Sequence, residues 1–131
     1  MKVQLTKVQW GHVLLASILV VILTIFLNYV VFLLVLMLWG PTKQLPVVFL
    51  NGALSSSILM ILLTFVFAIW VALTVKGQPQ LHGFLVGLIV SLLLFLATSG
   101  FRGEYVFLAL IATVLTIEAG WLGGFLVNRR Q

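Results

Sequence analysis

The chain has 131 residues, 63% of them hydrophobic and only 7% charged. A soluble domain of this length needs far more polar surface, so the expected solvent is a lipid bilayer. The formal charge of +5 comes from Lys and Arg scattered between apolar runs, which argues against a nucleic-acid partner, and the lack of cysteine excludes disulfides, thiolate metal sites and cysteine nucleophiles.

Four apolar runs are long enough to cross a bilayer, which takes about 20 helical residues. The expected fold is all-α, a single polytopic membrane domain over residues 1–131 with helices at about 10–39, 54–75, 81–98 and 105–127. The first run follows Lys2 and Lys7 and so imitates a signal peptide. Its apolar stretch from Val13 to Trp39 far exceeds the usual core of about 7–15 residues, and no small-x-small cleavage site follows, so it is expected to remain as the first helix. Lipid anchoring is not expected, because Lys2 stands where myristoylation needs glycine and there is no cysteine to acylate or prenylate. Trp10 and Trp39 bracket the run as interfacial anchors would, and its length calls for tilt. Asn28, beside Tyr29, is placed to hydrogen-bond across helices.

Residues 40–53 contain Pro41, Lys43, Gln44, Pro46 and Asn51 and read as the longest loop, with all three prolines, Pro79 included, acting as breakers between runs. Ser55, Ser56 and Ser57 then read as an interfacial cap opening the second run. The third run is the shortest and must stand nearly upright or begin before Leu81.

Small residues recur at every fourth position in the last two runs: Gly83, Gly87 and Ser91 in the third, Ala112, Thr116, Gly120 and Gly124 in the fourth. Residues four apart lie almost on one helix face, so each run carries a shallow groove for close backbone approach. The linker from Ser99 to Gly103 is short, which makes these helices antiparallel neighbours whose grooves are expected to meet; the other reading is that one groove receives a further subunit.

Lys and Arg set the expected orientation. Lys2, Lys7, Lys76, Arg129 and Arg130 fall on one side, and Lys43 and Arg102, the latter two residues from Glu104, on the other. That asymmetry argues for both termini in the cytoplasm.

Glu118 is a lone carboxylate inside the fourth run, with Arg102 and Arg129 its closest basic residues. An ionisable group inside hydrocarbon must face protein, water or a partner. Counting from the ends assigned to the cytoplasm puts Ser17, Thr64, Ser91 and Glu118 within a few ångströms of one depth near the midplane. Glu118 is two residues from both Thr116 and Gly120, about 200° around the helix, so it points away from the glycine groove. A hydrogen bond to Ser17 or Thr64 is the expectation, with a partner protein as the alternative. A central acid costs about 2.5–3.5 kcal/mol on insertion scales and each large apolar residue returns about 0.3–0.6, so the run still inserts.

His12 and His82 lie near helix ends and read as interfacial residues, too few for a closed metal site. There is no nucleophile–base–acid set, phosphate-cradling loop or paired carboxylate, so no catalysis, cofactor or metal is expected.

The stretch Leu81-His82-Gly83-Phe84-Leu85-Val86-Gly87-Leu88, the later Gly120-Trp121-Leu122-Gly123-Gly124-Phe125 and the closing Arg129-Arg130 resemble small four-helix bacterial membrane proteins of unknown function. That resemblance covers roughly the last fifty residues, implies a bacterial inner-membrane location and brings no activity with it. In length, helix number, single membrane glutamate and glycine motif the chain also resembles small multidrug resistance transporters. Their essential glutamate is in the first helix, where this chain has no acid. The functional expectation is a non-catalytic integral membrane protein, an accessory or assembly subunit that packs against other membrane proteins or itself. The competing reading is a small homo-oligomeric proton-coupled transporter or channel using Glu118.

Overall fold

A computed structural model describes residues 8–39, 45–75, 77–97 and 106–129. It contains four helices: α1 (Trp10–Trp39), α2 (Leu45–Thr74), α3 (Pro79–Ala97) and α4 (Val106–Asn128). Each includes a stretch long and apolar enough to cross a membrane, the organisation of a multi-pass membrane protein.

One boundary differs from the sequence reading: α2 begins at Leu45, not near residue 54. α3 begins at Pro79, in line with the earlier start left open for the shortest run. Pro46 and Pro79 therefore lie inside the first turns of their helices. The missing N–H costs nothing there, because the first four amides have no partner within the helix, and the fixed φ already suits it. The expected loop at 40–53 shrinks accordingly. Ser55–Ser57 lie three turns inside α2, so they are not its cap.

α2 and α3 pack on each other and form the middle of the bundle. α1 and α4 each touch both of them and do not touch one another among the described residues, so they flank the central pair on opposite sides. The interior is made of small and β-branched side chains: Val13, Ala16 and Val20 from α1, Val71 near the end of α2, Val86 and Val90 from α3, Ala112 from α4. Leu14, Ile18, Ile22, Leu62, Leu73, Leu92 and Leu126 face outward. Lipid tails are as apolar as Leu, so burying Leu gains little in a bilayer, and close packing of small residues decides what goes inside. From Val31 to Leu38 α1 is exposed around nearly its whole circumference.

α3 and α4 approach at backbone distance. A Cβ added at Gly83 would fall against the carbonyl oxygen of Gly120, and one added at Gly124 against that of Pro79. At Gly87 it would stand 2.8 Å from the Thr116 oxygen, and at Gly120 2.5 Å from that of Gly83. The two small-residue rows thus face each other along an antiparallel hairpin.

The α2–α3 turn holds α1 in place. Gly77 and Gln78 both have positive φ, 93° and 47°. The Gln78 carbonyl accepts from the Leu81 N–H at 3.1 Å and the His82 N–H at 3.3 Å, capping α3. His82, 1% exposed, uses both ring nitrogens: Nε2 accepts from the Gln9 N–H at 3.2 Å, and Nδ1 lies 2.9 Å from the Gln78 oxygen. With Nε2 accepting, Nδ1 is assigned the hydrogen and donates to the Gln78 oxygen. Gln9 in turn accepts from the His12 and Val13 amides at the start of α1. His82 is therefore a buried fastener between the start of α1 and the α2–α3 turn, whereas His12 is exposed.

Candidate functional site

α4 buries one side and presents the other. Its buried residues are Ala112, Thr116, Ala119, Gly120, Gly123, Gly124 and Val127. They form two adjoining rows. Thr116, Gly120 and Gly124 meet α3 as described above. Gly123 meets α2, where an added Cβ would stand 2.9 Å from the Ala68 Cβ and from the Phe65 oxygen. This second row was missed in the sequence reading, although Ala112, Ala119 and Gly123 recur at intervals of seven and four, the spacing of a second helix contact.

Glu118 sits at the centre of the opposite side. At about 100° per residue it lies roughly 160° from both Thr116 and Gly120. Its side chain is exposed, and among the described residues it has no hydrogen bond or ion pair. It lies about 18 Å along the helix from Val106 and about 15 Å from Asn128, too deep for its short side chain to reach either end. Glu118 is also the only acid in the four helices, which contain no Lys or Arg.

The expected hydrogen bond from Glu118 to Ser17 or Thr64 is absent. Both hydroxyls are fully buried within the bundle, and Glu118 points out of it. Ser17 Oγ donates to the Val13 carbonyl at 2.8 Å, which satisfies it within its own helix. Thr64 Oγ1 and Ser91 Oγ are buried without a partner. The four residues assigned to one polar layer thus divide into three interior hydroxyls and one exterior carboxyl. Asn28 Nδ2 of α1 donates to Ser56 Oγ of α2 at 2.6 Å, in keeping with the expectation for Asn28.

The outward face of α4 has its own order. Phe107, Ile111, Val114, Glu118, Trp121 and Phe125 follow each other at alternating intervals of four and three, the repeat of a coiled-coil seam. Towards the C-terminus this seam is stiffened. Trp121 stacks on Phe125 with ring centroids 5.3 Å apart and 18° between planes, and the Arg129 guanidinium carbon lies 4.6 Å from the Phe125 centroid. Nothing in this face provides a nucleophile or a second titratable group beside Glu118. Among the described residues no three His, Cys, Asp or Glu side chains gather where a metal ion could be held. What the arrangement offers chemically is one carboxyl, donor or acceptor according to its protonation, set in an apolar seam.

No protein-family model matches the chain, and comparison with curated proteins and with solved structures finds none similar to it.

Proposed function

We propose that this protein is a non-catalytic subunit that assembles with other membrane-embedded helices through the outward face of α4. One observation carries the proposal: a carboxyl at mid-helix, unpaired among the described residues, on a face that no other described element covers. Left against lipid it costs about 2.5–3.5 kcal/mol on insertion scales, a cost that a hydrogen-bonding neighbour at the same depth removes. The distribution of Lys and Arg supports both termini being cytoplasmic, and the bacterial inner membrane is what the resemblance of the last fifty residues implies. On that reading Trp10, Trp70 and Trp121 lie towards the cytoplasmic side.

A proton-coupled transporter would use Glu118 beside a polar route. The geometry within one chain favours assembly instead, since the buried hydroxyls lie inside the bundle and the carboxyl lies outside it.

Extraction of native membranes in mild detergent tests the proposal. The protein is expected to migrate as part of an assembly larger than one chain in its micelle. Glu118→Gln should keep that assembly, because the amide retains a hydrogen bond, and Glu118→Ala should weaken it. Migration as a single chain over a range of mild detergents, or loss of proton-driven uptake in a stably assembled Glu118→Gln variant, would contradict it.

A further inference from the structure

We infer that the partner on the α4 face is a second copy of this chain, packed as a parallel pair with Glu118 opposite Glu118. The inference rests on the assembly reading above and names the occupant of that surface.

The first argument is chemical complementarity. The four helices contain no Lys or Arg, and their only acid is Glu118. A partner that neutralised it with a base would itself have to carry a cation to mid-membrane, which is as costly as the acid. A protonated carboxyl needs no such partner. It is donor and acceptor at once, so it is complementary to an identical group.

The second argument is symmetry. On the proposed orientation, which the Lys and Arg asymmetry gives alike to every copy, a closed pair has its two-fold axis along the membrane normal. Across such an axis α4 packs parallel to α4, and equal residue numbers face each other at equal depth. A carboxyl at the centre of the exposed arc then meets its own copy without adjustment.

The third argument is the seam. Phe107, Ile111, Val114, Glu118, Trp121 and Phe125 keep the alternating interval throughout, so a parallel pair buries one polar position among apolar ones. A single polar residue at such a position fixes register and partner number. The stacked Trp121 and Phe125, with Arg129 folded over them, are already ordered before contact, which lowers the cost of association.

Cysteine cross-linking in native membranes provides the test, in a chain that has no cysteine of its own. Val114→Cys and Trp121→Cys flank Glu118 on the seam. Leu115→Cys and Leu126→Cys lie about 60° and 80° from Glu118 on the side away from Val114 and Trp121, at 44% and 46% exposure in the native side chains. All four positions lie away from the bundle interior, so folding is not at stake. Oxidation is expected to give a covalent dimer at least tenfold more abundant from the two seam positions than from the two flanking ones. Adding Glu118→Leu should lower the seam yield several-fold, and adding Glu118→Gln should preserve it.

Equal yields at all four positions, or a seam yield unchanged by Glu118→Leu, would overturn the inference. A photoreactive side chain at Val114 separates this failure from failure of the assembly reading. An adduct with a protein of different mass removes the second copy and keeps the assembly role, whereas adducts with lipid alone remove both.

Discussion

Gly120→Ala perturbs the α3–α4 seam where two backbones approach within the reach of a single Cβ. The added Cβ would lie 2.5 Å from the Gly83 oxygen and 3.0 Å from both N and Cα of Gly87. All three are backbone atoms, so no side chain can turn aside. Reaching ordinary contact, which begins near 3.4 Å, requires about 0.9 Å of separation between two helices that touch along much of their length. A gap of that order forfeits a quarter to a half of each contact's dispersion energy. Overpacking of this kind costs about 1–3 kcal/mol, and the unyielding neighbours put this case near the upper end. Against it stands the better helix propensity of Ala, about 1 kcal/mol. The expected net destabilisation is about 2 kcal/mol, roughly a thirtyfold fall in the folded-to-unfolded ratio. Reversible unfolding in mixed detergent and SDS micelles, followed by tryptophan fluorescence, measures it. Gly11→Ala is the internal control: its Cβ meets nothing within 4 Å, so only propensity acts, and the variant should be unchanged or up to about 1 kcal/mol more stable. A Gly120→Ala variant as stable as Gly11→Ala would refute backbone contact between α3 and α4.

Thr64→Val and Ser91→Ala remove buried hydroxyls that have no partner, so each should leave stability unchanged or raise it by about 1 kcal/mol in the same unfolding assay. Asn28→Ala breaks the bond to Ser56 and should cost about 0.6–1.7 kcal/mol, a loss that a simultaneous Ser56→Ala should not deepen. His82→Leu takes the acceptor from the Gln9 amide, and hydrogen exchange at Gln9 should speed up roughly five- to tenfold, the equivalent of about 1–1.4 kcal/mol, while amides in the middle of α3 keep their protection.

The sequence is readable where a property depends on neighbours along one helix, and opaque where it depends on which helix stands opposite. The four spans follow from length and composition, and the facing rows of Gly83, Gly87, Gly120 and Gly124 follow from spacing and a short linker. The start of α2 was obscured because a proline in a first turn carries the same letter as a proline that ends a helix. Nothing near His82 announces its burial, since its partner is the amide of a residue 73 positions away. Glu118 is the intermediate case. Its offset of about 200° from the groove is a property of α4 alone and is legible. Whether that direction meets α1, α2 or open surface depends on α1 lying across the central pair from α4, which no periodicity encodes.

The glycines that close the seams also hold the carboxyl outside. Bringing Glu118 to the interior hydroxyls would mean rotating α4 by roughly 160°, and even a turn of about 100° moves a new residue into each contact. The new occupants would come from the outward set, Leu115, Trp121 and Leu122 among them. Yet at Gly83, Gly87, Gly120 and Gly124 the facing backbone leaves less room than a single Cβ requires. Packing therefore cannot relax to relieve the cost of the acid, and the helices hold no Lys or Arg to bring to it. A polar group that cannot be satisfied from inside, fixed at the centre of an ordered seam, is a demand made on a neighbour. That is why its placement speaks for assembly more strongly than its mere presence in an apolar helix.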